Sequence, residues 1–158
     1  MDALEQIKKW RQELHQIPEL GLQEYKTSNY LKTELIKMGY QPISILETGV
    51  LVYIDNGYDQ TLAFRSDIDA LKIKEQTNCC FASKHEGYMH ACGHDFHLTT
   101  IYGAALLLKK QQENIHGTIK LIFQPAEESS LGALKIIESK ALDDVEVIFG
   151  IHSSSVFP

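Results

Sequence analysis

The chain has 158 residues, of which 44% are hydrophobic and 23% are charged, so it can form one globular domain with a substantial core. A formal net charge of -6 and the lack of a Lys/Arg-rich block argue against a nucleic-acid partner. No apolar run reaches the roughly 18 residues that cross a bilayer, and the first residues do not have the pattern of a secretion signal. We therefore expect a cytoplasmic protein with no membrane partner, and its odd number of cysteines predicts reduced thiols.

Two amphipathic helices are expected before the first strand. In the first, apolar residues recur at steps of three and four within 4–17, and Pro18 ends the helix. In the second, apolar residues share a helical face within 30–38, and Gly39 is suitably placed as the C-terminal stop.

From residue 42 onward the hydrophobic pattern changes to that of strands. Apolar residues alternate in 43–45 and 50–54, and the turn sequence Asp55-Asn56-Gly57-Tyr58 predicts a hairpin into a strand at 61–65. The segment 67–93 has no clean period and is predicted as a long loop. In a compact domain, a loop of that length is more often functional than accidental.

The remainder of the chain alternates between helix and strand. A helix is predicted from Leu98 to Lys110, followed by a buried strand at 118–124, a helix at 131–139 and another buried strand at 145–151. This alternation implies a parallel α/β sheet with right-handed crossovers.

A nine-residue stretch, Met89 to His97, concentrates a thiol, three imidazoles and a carboxylate. Thiolate and neutral imidazole are preferred ligands of zinc-like ions, and the single glycine between Cys92 and His94 lets both side chains turn toward one point. An alternative is a zinc pair formed by His90 and His94 one helical turn apart, which the glycine disfavours. We therefore assign His90 and His97 as neighbours rather than ligands.

Other metal-capable side chains follow the predicted strands. Ligands of open α/β sheets bind outside the carboxyl ends of the strands, and the residues at those ends are Asp67, Asp69, Glu127, Glu128 and His152. Taken singly, the aspartates could be loop or capping residues and the glutamates a solvated helix start. Their joint placement on one rim favours a site.

The adjacent pair Glu127-Glu128 has a specific use beside a metal ion. Neighbouring residues in a turn project in different directions, so one carboxylate can ligate while the other faces an activated water. That second carboxylate can take a proton from the water and pass it to a leaving nitrogen. The pair therefore suits amide hydrolysis.

Four segments resemble, in order, the motifs of the peptidase M20 amidohydrolases: Phe64-Arg65-Ser66-Asp67-Ile68-Asp69-Ala70-Leu71, His90-Ala91-Cys92-Gly93-His94-Asp95, Phe123-Gln124-Pro125-Ala126-Glu127-Glu128 and Gly150-Ile151-His152. The branch that they resemble contains N-acyl-amino-acid deacylases, hippurate hydrolase, N-acetyldiaminopimelate deacetylase and auxin-conjugate hydrolases. The resemblance implies a three-layer αβα sandwich with a mixed, mainly parallel sheet of the phosphorylase/hydrolase-like, zinc-exopeptidase type. It also implies that residues 1–158 are the N-terminal portion of the catalytic domain, without the lid or dimerisation domain and the C-terminal catalytic segment.

The same resemblance implies a role for each site residue. Cys92 would bridge two divalent metal ions, which could be zinc, manganese, cobalt or nickel. Glu127 would be the general base, and Asp67 would support the metal site. The terminal metal ligands would be His94, Glu128 and His152.

The expected function is that of a metal-dependent amidohydrolase, a homodimer when full length, that cleaves N-acyl amino acids or short peptides through a metal-activated water. One alternative is an inactive truncated fragment that folds and then binds metal or self-associates through bare sheet edges. Another is a dinuclear metallo-exopeptidase. The histidines outside the motifs, which are His15, His85 and His116, are predicted as surface or capping residues.

Overall fold

The computed structural model describes residues 2–57 and 60–154. The order of its helices and strands confirms the predicted α/β fold class. The elements are α1 (Ala3–His15), α2 (Tyr25–Lys37), β1 (Ile43–Ile45), β2 (Gly49–Asp55), β3 (Thr61–Asp67), α3 (His94–Lys110), a 3-10 turn (Gln112–Asn114), β4 (Thr118–Gln124), α4 (Leu131–Glu138) and β5 (Val147–Gly150).

The five strands form one mixed sheet in the order β1-β2-β4-β3-β5. β3 runs parallel to β4 and to β5, whereas β2 runs antiparallel to β1 and to β4. In the parallel half, Asp67 at the end of β3 pairs with Gln124 at the end of β4, and Gly150 at the end of β5 pairs with Arg65. The carboxyl ends of three strands therefore meet at one edge of the sheet, where ligands of such sheets bind.

The predicted hairpin between β2 and β3 is wrong. β4 lies between these strands and pairs with both of them. Gly57 has a φ of 76°, as a turn residue does, but the Asn56 side-chain amide donates a hydrogen bond to the carbonyl of Ile115, at 2.7 Å, in the segment before β4. Tyr58, the last residue of the predicted turn, lies outside the described residues. Turn residues report local backbone geometry and leave open whether a third strand enters between the two that they join.

Helices cover both faces of the sheet, which confirms the three-layer α/β architecture. Helices α1, α2 and α3 lie on one face over a core of sixteen buried residues: Trp10, Leu14, Leu31, Leu35, Tyr40, Val50, Val52, Ile54, Ile68, Leu98, Ile101, Tyr102, Ala105, Ile119, Leu121 and Phe123. Helix α4 lies on the other face over a smaller core: Ile45, Leu51, Ala63, Ile122 and Ile136. The first face is therefore the better shielded of the two.

The expectation of a fully buried last strand is wrong. β5 is an edge strand that pairs only with β3 among the described residues, and its side chains at Val147, Ile148 and Phe149 are 45%, 48% and 50% exposed. A continuous apolar run is typical of a strand covered on both faces. Whether both faces are covered depends on neighbours that the run itself does not specify.

The long loop between β3 and α3 is confirmed, since residues 68–93 contain only an isolated bridge between Leu71 and Met89. Within residues 2–57 and 60–154, no helix is both long enough and apolar enough to cross a membrane.

Candidate metal centre

The structure brings the metal-capable residues of the rim together around His94. Three groups of ligand atoms, each with its members within 4.8 Å of one another, share this residue: Cys92, His94 and His152; Asp67, His94 and His97; and His94, Glu127 and Glu128. Asp69 also contacts His94. We call these eight residues the His94 cluster. Every residue that the sequence pattern placed on the rim is among them.

The imidazole of His94, the first residue of α3, is buried between carboxylates. Its Nδ1 lies 3.2 Å from Oδ1 of Asp69, so this nitrogen can donate a hydrogen bond. Its Nε2 lies 3.6 Å from Oε1 of Glu128 and 3.7 Å from Oε2 of Glu127, and it has no hydrogen-bond partner among the described residues. In that tautomer a buried lone pair faces two carboxylates, which is repulsive unless a proton or a metal cation lies between them. The donor set thus fits a metal ion.

The pKa values of two cluster residues reflect the same surplus of negative charge. Burial and the negative charge of Glu128 raise the pKa of the Cys92 thiol to about 11. Burial acts to lower the pKa of His94, but the hydrogen bond to Asp69 and the charges of nearby carboxylates outweigh it and raise that pKa. A bound cation reverses this logic for the thiol, because coordination favours the thiolate.

Asp67 is a fully buried carboxylate that His97 and Arg65 hold. Its Oδ1 lies 2.7 Å from Nδ1 of His97, and its Oδ2 accepts a hydrogen bond from Arg65 at 3.1 Å. Burial opposes ionisation of Asp67, but the hydrogen bond from His97 and the nearby positive charges lower its pKa below the ordinary value. The backbone N–H of Ser153 donates to Nε2 of His97 at 2.7 Å, so Nδ1 of His97 carries the proton that is donated to Asp67.

His97, predicted as a neighbour rather than a ligand, contacts Asp67 directly. His97 lies one helical turn after His94, and residues three apart on a helix share a face. That spacing places His97 beside His94, as a neighbour of the metal-capable residues.

The backbone at Gly93 lets Cys92 and His94 face one region. Gly93 has a φ of 86°, a conformation that favours glycine, and a Cβ at this position would lie 2.7 Å from Oγ of Ser153, which would have to move. Sγ of Cys92 then lies 3.4 Å from Nε2 of His152. The alternative of His90 and His94 as a pair on one helix is wrong, because the helix begins only at His94.

The turn that carries the two glutamates is held by a residue that local sequence reasoning missed. Ala126 has a φ of 52°, and its N–H donates to Glu24 at 2.8 Å, across 102 positions of the chain. Glu24 is fully buried and also accepts a hydrogen bond from Thr48. The N–H of Glu128 donates to Oδ2 of Asp69 at 3.0 Å, so one aspartate orients both His94 and this turn. No local pattern marks Glu24 for this role.

His15 was expected at the surface, and this is wrong. It is 4% exposed, its Nδ1 lies 2.8 Å from Oδ2 of Asp95, and its Nε2 lies 3.2 Å from Oε1 of Glu75. Arg11 donates to the same Asp95 oxygen at 2.8 Å. We call these four residues the Asp95 network. His116, in contrast, is exposed as predicted.

Comparison with known proteins agrees with this geometry. The model of peptidase family M20/M25/M40 matches residues 63–156, more than half of the chain. The chain belongs to this family. It is 48% identical over 149 residues to the IAA-amino acid hydrolase ILR1-like 5 of Arabidopsis thaliana, a match that covers 92% of this chain and 34% of that protein. It is 46% identical over 145 residues to the N-acetyl-L-cysteine deacetylase of Bacillus subtilis, covering 90% of this chain and 35% of that protein.

A solved member of the family has the same fold. The YXEP protein of Bacillus subtilis, described as a dinuclear metal binding peptidase from the M20 family, superposes with a TM-score of 0.94 at 42% identity. The match covers 99% of this chain and 44% of that one. The resemblance to M20 enzymes is thereby confirmed, and the chain spans about a third of the length of the two curated relatives.

Proposed function

We propose that this chain forms the N-terminal part of the catalytic domain of a metal-dependent amidohydrolase that cleaves the amide bond of N-acyl amino acids. The observation that carries the proposal is the buried Nε2 of His94, which faces the oxygens of Glu127 and Glu128 and has no hydrogen-bond partner in the part of the chain that the structure describes. Relatives named as a deacetylase of an N-acetyl amino acid and as a hydrolase of amino-acid conjugates support the substrate class.

The His94 cluster supplies ligands for two divalent cations. Cys92, whose thiol lies 3.4 Å from Nε2 of His152, would be a ligand of these cations. The other ligands in this proposal would be His94, Glu128 and His152. Thiolate, imidazole and carboxylate together suit zinc, manganese, cobalt or nickel, and the description of the similar YXEP protein as a dinuclear metal binding peptidase supports two ions.

When bound, the cations supply Lewis acidity, which acidifies a water and polarises the scissile carbonyl. Glu127 accepts a proton from the attacking water and delivers it to the leaving nitrogen. Its side chain is 34% exposed and lies 3.7 Å from His94, so it faces both the cluster and the open rim. Asp69 fixes the tautomer of His94 through Nδ1, and Asp67 fixes His97 in the same way.

Substitution of Glu127 tests the proposal directly. In the metal-loaded enzyme, Glu127→Gln is expected to lower kcat for an N-acetyl amino acid by about 10²–10⁴, because proton transfer by a positioned base contributes that much. Metal content, measured by elemental analysis, is expected to stay unchanged. Glu138→Gln, at an exposed position at the end of α4, is the matched control and keeps full activity. Undiminished turnover of Glu127→Ala would remove Glu127 from the mechanism.

A substrate panel distinguishes the proposal from its alternatives. Hydrolysis of N-acetyl amino acids in preference to dipeptides and tripeptides is expected, and the opposite preference would indicate an exopeptidase.

We also propose that the whole enzyme is a cytoplasmic homodimer. The three free cysteines support a reducing compartment.

A further inference from the structure

Three metal-capable side chains meet outside the His94 cluster, where the long loop of residues 68–93 passes α1. Nε2 of His15 lies 3.2 Å from Oε1 of Glu75, and Sγ of Cys79 lies 3.7 Å from the same oxygen. The three ligand atoms all lie within 4.8 Å of one another. The side chains of His15 and Glu75 are only 5% and 6% exposed, so two of the three groups are shielded from water.

The two separations that involve Oε1 of Glu75 suit a tetrahedral ion. Zinc bonds of about 2.0 Å to nitrogen and oxygen and about 2.3 Å to sulfur place N and O about 3.3 Å apart, and S and O about 3.5 Å apart. The observed separations of 3.2 Å and 3.7 Å are close to these values. An ion can therefore bind with small changes in these two separations, while Nε2 of His15 and Sγ of Cys79 lie within 4.8 Å of each other.

The far side of His15 is already arranged as in a metal site. Its Nδ1 donates to Oδ2 of Asp95 at 2.8 Å, and Arg11 holds that carboxylate with a hydrogen bond of 2.8 Å. A carboxylate that accepts the proton of one ring nitrogen fixes the tautomer in which the other nitrogen is a ligand. Nε2 of His15, the nitrogen left over, is the one that faces Glu75 and Cys79.

Glu75 is also held in place by its own loop. The backbone N–H of Ser83 donates to its Oε2 at 2.6 Å, and the hydroxyl of Thr77 donates to its Oε1. An acceptor oxygen has two lone pairs, so Oε1 can keep the Thr77 hydrogen bond and still ligate an ion. The carboxylate is thus oriented before any ion arrives.

We propose that His15, Glu75 and Cys79 bind a divalent cation of the zinc type, separate from the His94 cluster, with water as the fourth ligand. Binding displaces the proton on Nε2 of His15 and the thiol proton of Cys79, and both protons go to solvent. The thiolate and the carboxylate then balance the two charges of the ion. The ion joins α1 to the loop that leads to Cys92, so its role is to hold that loop in place. Cys80, the next residue, is exposed and lies outside the group.

Cobalt spectroscopy tests the site in the full chain. In a Cys92→Ser background, the His94 cluster cannot produce a thiolate-to-cobalt charge-transfer band. We expect Co²⁺ to produce that band in Cys92→Ser and in Cys92→Ser/Cys80→Ser, the matched control. In Cys92→Ser/Cys79→Ser the band is expected to disappear, and the Kd for Zn²⁺ at this site to rise at least about tenfold. Circular dichroism and thermal unfolding in chelator establish that the variants fold.

Alkylation of the cysteines in the chain without substitutions is an independent test of the proposed site. Zn²⁺ is expected to protect Cys79 from iodoacetamide, as read by peptide mass spectrometry, and to leave the reaction of Cys80 unchanged. Absence of the cobalt band in Cys92→Ser, its persistence without Cys79, or equal alkylation of Cys79 with and without Zn²⁺ would each overturn the proposal.

Discussion

His94 and Asp95 are consecutive residues at the start of α3, yet they face clusters with opposite charge balance. Around His94, four carboxylates gather with one guanidinium, that of Arg65. One buried nitrogen of the His94 ring has no hydrogen-bond partner within residues 2–57 and 60–154. Around Asp95, two carboxylates are matched by Arg11 and His15. In the metal-free protein, the difference separates a cluster with a surplus of negative charge from a network whose own charges balance. Buried charge of one sign is costly unless it is paired or coordinates a metal.

The largest effect is expected when the balanced network is broken. Asp95→Asn leaves Arg11 and His15 without their buried counter-charge, which we expect to lower the free energy of unfolding by about 3 kcal/mol. Chemical denaturation in the presence of chelator measures this change in the free energy of unfolding. The control is Asp143→Asn, an exposed position where the change is expected to stay within about 0.5 kcal/mol. Equal losses for the two variants would remove the distinction between network and surface.

A slightly smaller effect is expected when a divalent cation binds to the His94 cluster. At a free Zn²⁺ concentration of 100 times the Kd, binding to the folded state alone adds about 2.7 kcal/mol to the free energy of unfolding. Chelator is expected to reverse the gain. The measurement is made on the Cys79→Ser variant, so that only cation binding at the His94 cluster contributes to the stabilisation. If none of zinc, manganese, cobalt and nickel stabilised the protein, the surplus negative charge would have a purpose other than cation binding.

Neutralising one carboxylate of the His94 cluster is expected to have a small effect on the metal-free protein. Glu128→Gln removes a charge from a group of like charges, so in chelator we expect the free energy of unfolding to stay within about 1 kcal/mol of the starting value or to rise. In excess Zn²⁺ the same variant is expected to lose most of the metal-dependent gain. If Glu128→Gln in chelator lowered the free energy of unfolding as much as Asp95→Asn does, the His94 cluster would have no surplus of negative charge.

The dependence of stability on pH is expected to follow the Asp95 network. The hydrogen bond to Asp95 raises the pKa of His15, so its contribution is complete below the unfolded value of about 6.5 and is lost as the pH rises through the higher folded value. Burial opposes ionisation of Asp95, but His15 and Arg11 lower its pKa. Its contribution is therefore present above about pH 3.9 and is lost as the pH falls through the lower folded value.

Denaturant midpoints across pH, measured in chelator, give the test. Together, His15 and Asp95 favour a maximum of stability between about pH 3.9 and 6.5. His15→Gln is expected to reduce the decline on the alkaline side, and the remaining decline is assigned to His94, whose pKa is also raised. The same alkaline decline in both proteins would assign it to another group.

Much of the His94 cluster could be predicted from the chain alone. Asp67, Glu127 and His152 each follow a strand, and the ends of parallel strands meet at one edge whatever the details of the packing. Gly93 similarly indicated that Cys92 and His94 turn together, and its φ of 86° agrees. These inferences hold because they depend on strand direction and local backbone conformation, which short stretches of sequence specify.

The sequence by itself determined the helices, most of the strands, the long loop and the edge at which the metal-capable residues collect, because hydrophobic period and turn residues act over a few positions. Only the tertiary structure decided that β4 enters between β2 and β3, that β5 is exposed, and that His15 meets Asp95 across 80 positions. Glu24 reaches the glutamate turn in the same way. Such contacts depend on how distant elements pack against one another, and no local pattern encodes the partner.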